Sequence, residues 1–477
     1  MALTEHEAHR LADQLDQELS TRRPEIDRNA RYYRGEQPLR FASAEWRKYH
    51  GDRYAGFSDN WVATVSDAPV ERLTVQGVQP LGASSADTDS WRTWMANGLD
   101  MDSQLAFTDA VNSGRTFALV WGDEDGNPRV TFESASQCVV AYAPGSRRVR
   151  TAALKRWTDG ETDFATLYLP DEVWRLERAA RGRADRDHAT RQADEALKQW
   201  RPRRHGPVHQ PNPLGVVPMV ELQNRPLLAE EPLSDVSGVV AMQDAINLIW
   251  TSLFVAVDFA SFPQRIVLGG ERPMIPILNE AGEVVGERPI DLERFAVDRV
   301  AFFTGDGARV DQWDAADLSQ FTSILDVMTT HVAARTRTPQ HYLVGKMANL
   351  SGDALLAAET GLVKRVEEKQ LFFGHGLREV FALAAMVEGD WGKADALRAG
   401  TIIWRDAESR SNAQLADSLL KLRQMGFPFE WLAGQYGLTP TEVANVLAMR
   451  EREAALDPVT ALADLSERTV LDDQPGE

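Results

Sequence analysis

One cysteine stands among 477 residues. Cys138 has no partner for an internal disulfide, cannot build a Cys-based metal cluster, and fits a reducing compartment. It lies in an apolar run and reads as a small core residue, not a nucleophile. Long apolar runs are missing as well. The most apolar stretch, Ile246 to Val257, carries Asn247, Thr251 and Ser252 between Asp244 and Asp258. A membrane span needs roughly 20 apolar residues, so none is expected here. Nothing near the start resembles a secretory signal, since Thr4 to Ser20 is rich in Glu, His, Asp and Gln. Synthesis in the cytosol is the expectation.

Basic charge is the largest deficit. Lys and Arg number 52 against 71 Asp and Glu, a net charge of -19. A protein that grips DNA neutralises phosphates with an excess of cations. Tight sequence-specific binding is therefore disfavoured. A wall past which DNA slides is not, because like charges keep phosphates off it. The remaining composition, 43% hydrophobic and 26% charged, is that of a folded protein. The length calls for about two to four substructures.

Catalytic and metal-binding patterns are absent too. Gly345-Lys346 hints at a phosphate loop, but Met347 replaces the Ser/Thr and no upstream glycine has the required spacing. Asp123, Asp125 and Gly126 lack the later glutamate of a calcium loop and read as a hairpin turn. His205 and His209 lie four apart in a Pro/Gly linker, not on a helix, and His331, His341 and His375 are scattered. No Gly-x-Ser-x-Gly elbow occurs. No catalytic constellation, metal site or cofactor is expected.

What is present is a sequence of elements. Thr4-Glu5-His6-Glu7 reads as a capping box, with Ala8, Leu11, Ala12, Leu15 and Leu19 on one helical face. Pro24 opens a second short helix that ends at Tyr32-Tyr33-Arg34-Gly35. Asn60 to Val75 reads as a helix entering a strand, and Ser90 to Met101 as a helix. From Thr116 the period becomes two, with turns at Asp125-Gly126-Asn127-Pro128 and Pro144-Gly145, giving an antiparallel meander through Leu176. Arg175 to Arg204 holds ten Lys/Arg against five Asp/Glu. It reads as an exposed helix with interspersed acids, or alternatively as a nucleic-acid patch flanked by Trp174 and Trp200.

Ser234 or Asp235 caps a long helix to about Phe259 that is apolar on more than one face. Short strands follow between Pro263 and Trp313, with a hairpin about Glu280-Ala281-Gly282-Glu283. Leu318, Phe321, Leu325, Met328 and Val332 then form a narrow helical seam. Pro339 stops it, His341 to Ser351 is a polar loop, and Ser351 caps a helix to about Val387 with a kink near Gly374-His375-Gly376. The remainder reads as helical. Thr439-Pro440-Thr441-Glu442 is a capped helix start. Phe429 to Arg450 has the layout of a helix-turn-helix DNA reader, but Gly426 to Ala455 carries four Glu against two Arg.

This order resembles the portal proteins of tailed double-stranded-DNA phages, particularly the siphophage type of Gram-positive hosts. The strings that carry the resemblance are Tyr32-Tyr33-Arg34-Gly35, Asn60-Trp61-Val62 to Glu71-Arg72-Leu73, Asp235-Val236-Ser237-Gly238 leading into Gln243-Asp244-Ala245-Ile246-Asn247, and Asn349-Leu350-Ser351-Gly352-Asp353-Ala354-Leu355. The resemblance implies an α+β portal fold assembled as a ring. Residues 1–234 would form the wing (with a basic insertion at 175–204), 235–260 the first stem helix, and 261–315 the clip. Residues 316–338 would be the second stem helix, 339–352 the tunnel loop and 353–388 the long kinked helix. A helical crown and acidic tail would fill 389–477.

The resemblance further implies a non-enzymatic dodecamer at one capsid vertex of the virion, assembled in the host cytoplasm. Its partners would be terminase large subunit, a head-completion or adaptor protein, major capsid and scaffolding proteins, and DNA passing non-specifically, with no membrane. By position, His341, Tyr342, Lys346, Met347 and Asn349 would face DNA. Lys346 is either a transient phosphate contact or a solvated loop residue. Ile246, Ile249, Trp250, Leu253, Leu318, Phe321, Leu325 and Met328 would form the interface between subunits, since a ring buries faces that a lone chain leaves apolar.

Overall fold

The computed structural model describes residues 3–36, 57–180, 199–261, 265–268, 274–279, 281–289, 309–312, 317–345, 352–408 and 412–456. It divides into two compact units, one of residues 1–37, 60–240 and 333–477, the other of 38–59 and 241–332.

The first unit opens with helix Glu5–Tyr33, whose capping box between Thr4 and Glu7 is formed as expected. The second helix expected at Pro24 does not exist, because the proline sits inside one continuous helix. A mid-helix proline costs about 3 kcal/mol. Ile26 and Tyr32 lie beyond it and are buried, and burying each such side chain contributes roughly 2 kcal/mol. Tertiary burial outweighs the local penalty.

Ala8, Ala12, Leu15 and Leu19 pack with Val139, Leu154, Leu167 and Leu176 of an antiparallel sheet. Its strands run in order β4 (Cys138–Tyr142), β5 (Arg150–Asp159), β6 (Thr162–Tyr168), β7 (Glu172–Ala179) and β8 (Arg201–Pro202), with β9 (His209–Pro211) also on β7. The predicted meander holds for β5 to β7, but its first hairpin, expected in the same sheet, lies elsewhere. A second sheet orders β10 (Met219–Gln223), β2 (Arg115–Gly122) and β3 (Pro128–Glu133). Asp123 closes the β2–β3 hairpin, its side chain accepting from the backbone N–H of Asp125 and Asn127. Cys138 is fully buried among Phe117, Val140 and Met219, and burial pushes its thiol up.

Asn60 caps helix Trp61–Val70, which leads into β1 (Val75–Gln79). The helix expected from Ser90 to Met101 is two, Thr88–Ala96 and Leu99–Ser113, parted where Gly98 takes φ +65°. The central core surrounds helix Gly352–Val387, 36 residues long. Leu362, Val366, Phe373, Leu377 and Phe381 from it pack with Phe107, Val120 and Leu222. Its helical hydrogen bonding is unbroken through Gly374-His375-Gly376.

Close approach accounts for these glycines. A Cβ on Gly376 would lie 2.9 Å from Leu222 Cγ, and one on Gly374 3.3 Å from Trp404 Nε1. Gly376→Ala gains up to ~1 kcal/mol of helix propensity but overpacks a core site, at a cost of about 1–3 kcal/mol. The clash is expected to win, lowering the urea midpoint; a raised midpoint would show that the helix and β10 separate freely.

The carboxyl-terminal part is not all helical. Helix Trp391–Arg398 is followed by β15 (Thr401–Trp404), which pairs antiparallel with β1. A four-residue strand whose partner lies more than 300 residues away carries almost no local signal. Helices Asn412–Gln424, Phe429–Tyr436 and Pro440–Leu456 complete the unit, the last with the expected Thr439–Glu442 cap.

The second unit holds most of helix Val240–Ser261 and of helix Ser319–Thr336, with two strand pairs, β11 (Arg265–Leu268) with β14 (Arg309–Gln312) and β12 (Met274–Leu278) with β13 (Val284–Pro289). Gly282 at φ +82° turns the expected hairpin, and Asn279 Oδ1 accepts from the N–H of Ala281 and Glu283. The first helix begins at Val240, not at Ser234 or Asp235. Its stretch Val240–Val257 is long and apolar enough by composition to cross a bilayer, so brevity does not set it apart from a membrane span. Buried polar residues do. Gln243, Asp244, Asn247 and Thr251 are all buried, and Gln243 Nε2 donates to Asp59 O (2.6 Å) and Asn247 Oδ1 (3.0 Å).

Candidate functional sites and family membership

Of the residues expected to face DNA, Lys346, Met347 and Asn349 lie outside the described residues. His341 and Tyr342 lie in a helical turn, Gln340–Val344, that Gly345 ends at φ +61°. The polar loop therefore does not begin at His341. Pro339 opens this turn at φ -58°, an angle that its ring fixes. The side chains of His341 and Tyr342 are both half-buried within the chain. Tyr342 packs against the central core and accepts from Arg72 at 3.0 Å, while His341 Nε2 lies 3.8 Å from Glu359. Arg72 and Glu359 pair at 3.2 Å.

The residues expected at the subunit interface divide in two. Ile246, Leu253 and Leu325 are buried within the chain itself and present no surface to a neighbour. Ile249, Trp250, Leu318, Phe321 and Met328 are half-buried. Trp250 donates its indole N–H to Asp59 at 2.9 Å and packs edge-on to Phe57. Among the described side chains of these two helices, the large apolar ones left exposed are Val257, Ile324 and Val327, at 39%, 44% and 58%. The seam through Leu325 and Val332 faces inward because it is the helix's most continuous apolar stripe.

Sequence reasoning missed the strongest electrostatic feature, a charge junction in the first unit. Asp235, expected as a helix cap, is 3% exposed and is held by two cations. Its Oδ2 accepts from Arg365 Nη2 and from Lys369 Nζ, both at 2.7 Å. Its Oδ1 accepts from Asn224 Nδ2 at 3.2 Å. Arg365 also donates to Val65 O and Thr336 O, and Lys369 to Asn224 Oδ1 at 2.5 Å.

Three segments thus meet: the approach to helix Val240–Ser261, the exit of helix Ser319–Thr336, and the long helix. Burial alone would raise the Asp235 carboxyl, but Lys369 and Arg365 hold it far below the usual carboxylate range. Burial pushes Lys369 down to about 8, against the pull of Asp235. The only local signal is Arg365 and Lys369 four apart on a helix, which reads equally well as a solvated face.

The alternative sites do not assemble. Helices Phe429–Tyr436 and Pro440–Leu456 form as read, but Arg450 lies over the Phe429 ring at 4.3 Å, directed at the partner helix. The DNA-reader alternative finds no support. In the basic segment, residues 181–198 lie outside the described residues. Its described ends are strands, not an exposed helix. Arg178 is buried against Asp16 and Asp163, and Arg201 and Arg204 pair with Glu177. His209 bonds Glu172 at 2.8 Å, and among the described residues no group of His, Cys, Asp and Glu gathers to hold a metal.

The family described as phage portal protein, SPP1 Gp6-like, matches residues 12–429. The portal protein of Mycobacterium phage L5 is 30% identical over 404 residues, covering 81% of this chain and 75% of that protein. The portal protein of Mycobacterium phage D29 is 28% identical over 407 residues, covering 82% and 78%. Among solved structures, the neck of a native GTA particle computed with C12 symmetry aligns at 10% identity with a TM-score of 0.41, covering 85% of this chain and 96% of that one. With the match running from the first helix through the long helix to Phe429, this chain belongs to the phage portal protein family.

Proposed function

We propose that the chain is the ring subunit of a capsid portal, the channel through which DNA is packaged and ejected. The observation that carries this reading is apolar surface that a lone chain leaves in water. In the β12–β13 hairpin, Met274, Ile277, Leu278, Val284 and Val285 are all exposed, and Ile324 and Val327 stand out from helix Ser319–Thr336. An isolated two-stranded hairpin is marginal in water, and contiguous exposed apolar residues mark an interaction site. Copies joined head to tail close into a ring and cover such faces. Membership of the family supports twelve copies at one capsid vertex, with assembly in the host cytoplasm.

In this reading residues 261–315 are the clip and meet terminase large subunit and, later, the head-completion protein; major capsid and scaffolding proteins surround the wing. By family position His341, Tyr342, Lys346, Met347 and Asn349 of the 339–352 loop are the residues assigned to DNA, the last three lying outside the described residues. The acidic balance of the chain, -19, keeps the duplex from sticking. No catalytic role is assigned, the packaging motor being a separate protein.

Native mass spectrometry with negative-stain images tests the ring. Closed rings with a central channel are expected at moderate salt, and Ile324→Asp with Val327→Asp should leave only monomers and small oligomers. A wild-type chain that stays monomeric even with scaffolding protein present would overturn the portal reading. Rings unchanged in the double variant would move the interface to another face.

A further inference from the structure

Beside the charge junction lies a cavity of about 320 Å³ within the first unit. Arg225, Arg335, Arg337, Arg365 and Lys369 line it, against Asp235 and Glu368 alone. Cations are the scarcer charge in this chain, so five about one cavity are unexpected. Their charges are also incompletely balanced. One buried carboxylate, Asp235, faces two buried cations, since Arg365 and Lys369 are 8% and 1% exposed. Glu368 is 3.8 Å from Arg337, and Arg225 is 3.6 Å from Asp235. Arg335 donates Nε to Gly238 O at 3.0 Å, and among the described residues no carboxylate pairs with it.

Backbone geometry singles out the same place. Among the described residues, Arg225 and Arg337 are the non-glycine positions with positive φ, at 47° and 53°. A left-handed backbone costs an ordinary side chain about 1–2 kcal/mol. Such strain clusters where a ligand is clamped.

We propose that this cavity binds a phosphate-class oxyanion, with Arg225, Arg335 and Arg337 at its mouth and the buried Arg365–Lys369 pair behind. Guanidinium forks match phosphate oxygens in paired, charge-assisted hydrogen bonds. The surplus of three cations calls for a multivalent anion, which one carboxylate from a neighbouring copy does not supply. Inorganic phosphate brings more than one charge on a single group, whereas DNA brings one charge per phosphodiester and supplies the surplus only through adjacent phosphates of the same oxyanion class. Occupancy ties residues 335–337, at the end of helix Ser319–Thr336, to the long helix at 365–369.

The test is calorimetric titration of the assembled full chain with inorganic phosphate, at ionic strength matched by chloride. Saturable binding is expected, weakened at least about tenfold by Arg335→Ala with Arg337→Ala, since each charge-assisted bond lost is worth roughly a factor of ten. Both arginines are exposed, so the variant should fold; Arg335→Lys with Arg337→Lys keeps the charge and should lose less. Displacement of phosphate by a short mixed-sequence duplex identifies DNA as the source, and a duplex that fails to displace it leaves free phosphate. No phosphate-specific heat, or the same affinity in the alanine variant, would overturn the proposal. An acidic side chain of a neighbouring copy already filling the cavity would give the first of those results.

Discussion

Asp235→Asn is expected to destabilise the first unit by about 3–5 kcal/mol, because it leaves two buried cations without a counter-charge. Asparagine matches the carboxylate in shape, so the loss reads charge and not packing. Arg365 and Lys369 each sit 2.7 Å from the Asp235 oxygen that would lose its charge. Urea unfolding of the variant measures the effect. A change below about 1 kcal/mol would mean that water reaches the junction and screens it. Adding Lys369→Met to Asp235→Asn should recover part of the loss, since the two groups touch and their effects are not additive.

The same junction sets a pH dependence. Lys369 titrates at about 8 when folded, below its ordinary 10.5. Between these values the unfolded chain binds more protons than the folded one, so this group's contribution to stability rises with pH across that window. The slope is at most about 1.4 kcal/mol per pH unit for one proton. Burial raises Tyr33 from its ordinary 10.0 to about 12, which acts oppositely above the lower of those values. Subtracting the profile of Lys369→Met removes the tyrosines and should isolate the Lys369 slope. Asp235 acts on the acid side. Its folded value lies far below the ordinary 3.8, so its stabilisation is complete above that pH and is lost progressively as pH falls below it.

Phe373→Ala is the second large effect, a loss of about 3–5 kcal/mol on truncating a fully buried aromatic side chain. Phe373 is 0% exposed and stacks on Phe107 with centroids 5.2 Å apart and planes 5° from parallel. Phe107 in turn meets Trp404 of β15 at 5.7 Å. One side chain thus joins the long helix, helix Leu99–Ser113 and the carboxyl-terminal strand. Thermal unfolding with near-ultraviolet dichroism reads it. A variant that keeps its aromatic dichroism and loses under about 1 kcal/mol would show that the cavity collapses freely.

Features that rest on neighbours in the chain are legible without a structure. The caps at Thr4 and Thr439, the Asp123 and Gly282 turns and the alternation through β2 to β7 each depend on residues a few positions apart. The order of elements and a handful of strings were enough to point to the portal family, because that order spans nearly the whole chain. Pro24 shows where this fails. A proline is a strong local signal, yet the face it interrupts is buried on both sides, and burial decides.

Gly374 and Gly376 carry the same lesson in reverse. A local reading makes them the place of a kink, and what it could not see is the close approach of Trp404 and Leu222, which leaves no room for a Cβ at Gly376. Ile246 and Leu325 read as interface because apolar periodicity says that a face is covered and not by what. Composition by itself disfavoured tight DNA binding and a disulfide, since a net charge of -19 and a lone cysteine are properties of the chain in any conformation. The class of protein came from the resemblance. Tertiary structure alone decided that Asp235 meets Arg365 and Lys369, 130 and 134 residues away. A buried charge is tolerable only beside its partner, and which residues become partners is fixed by packing, not by spacing.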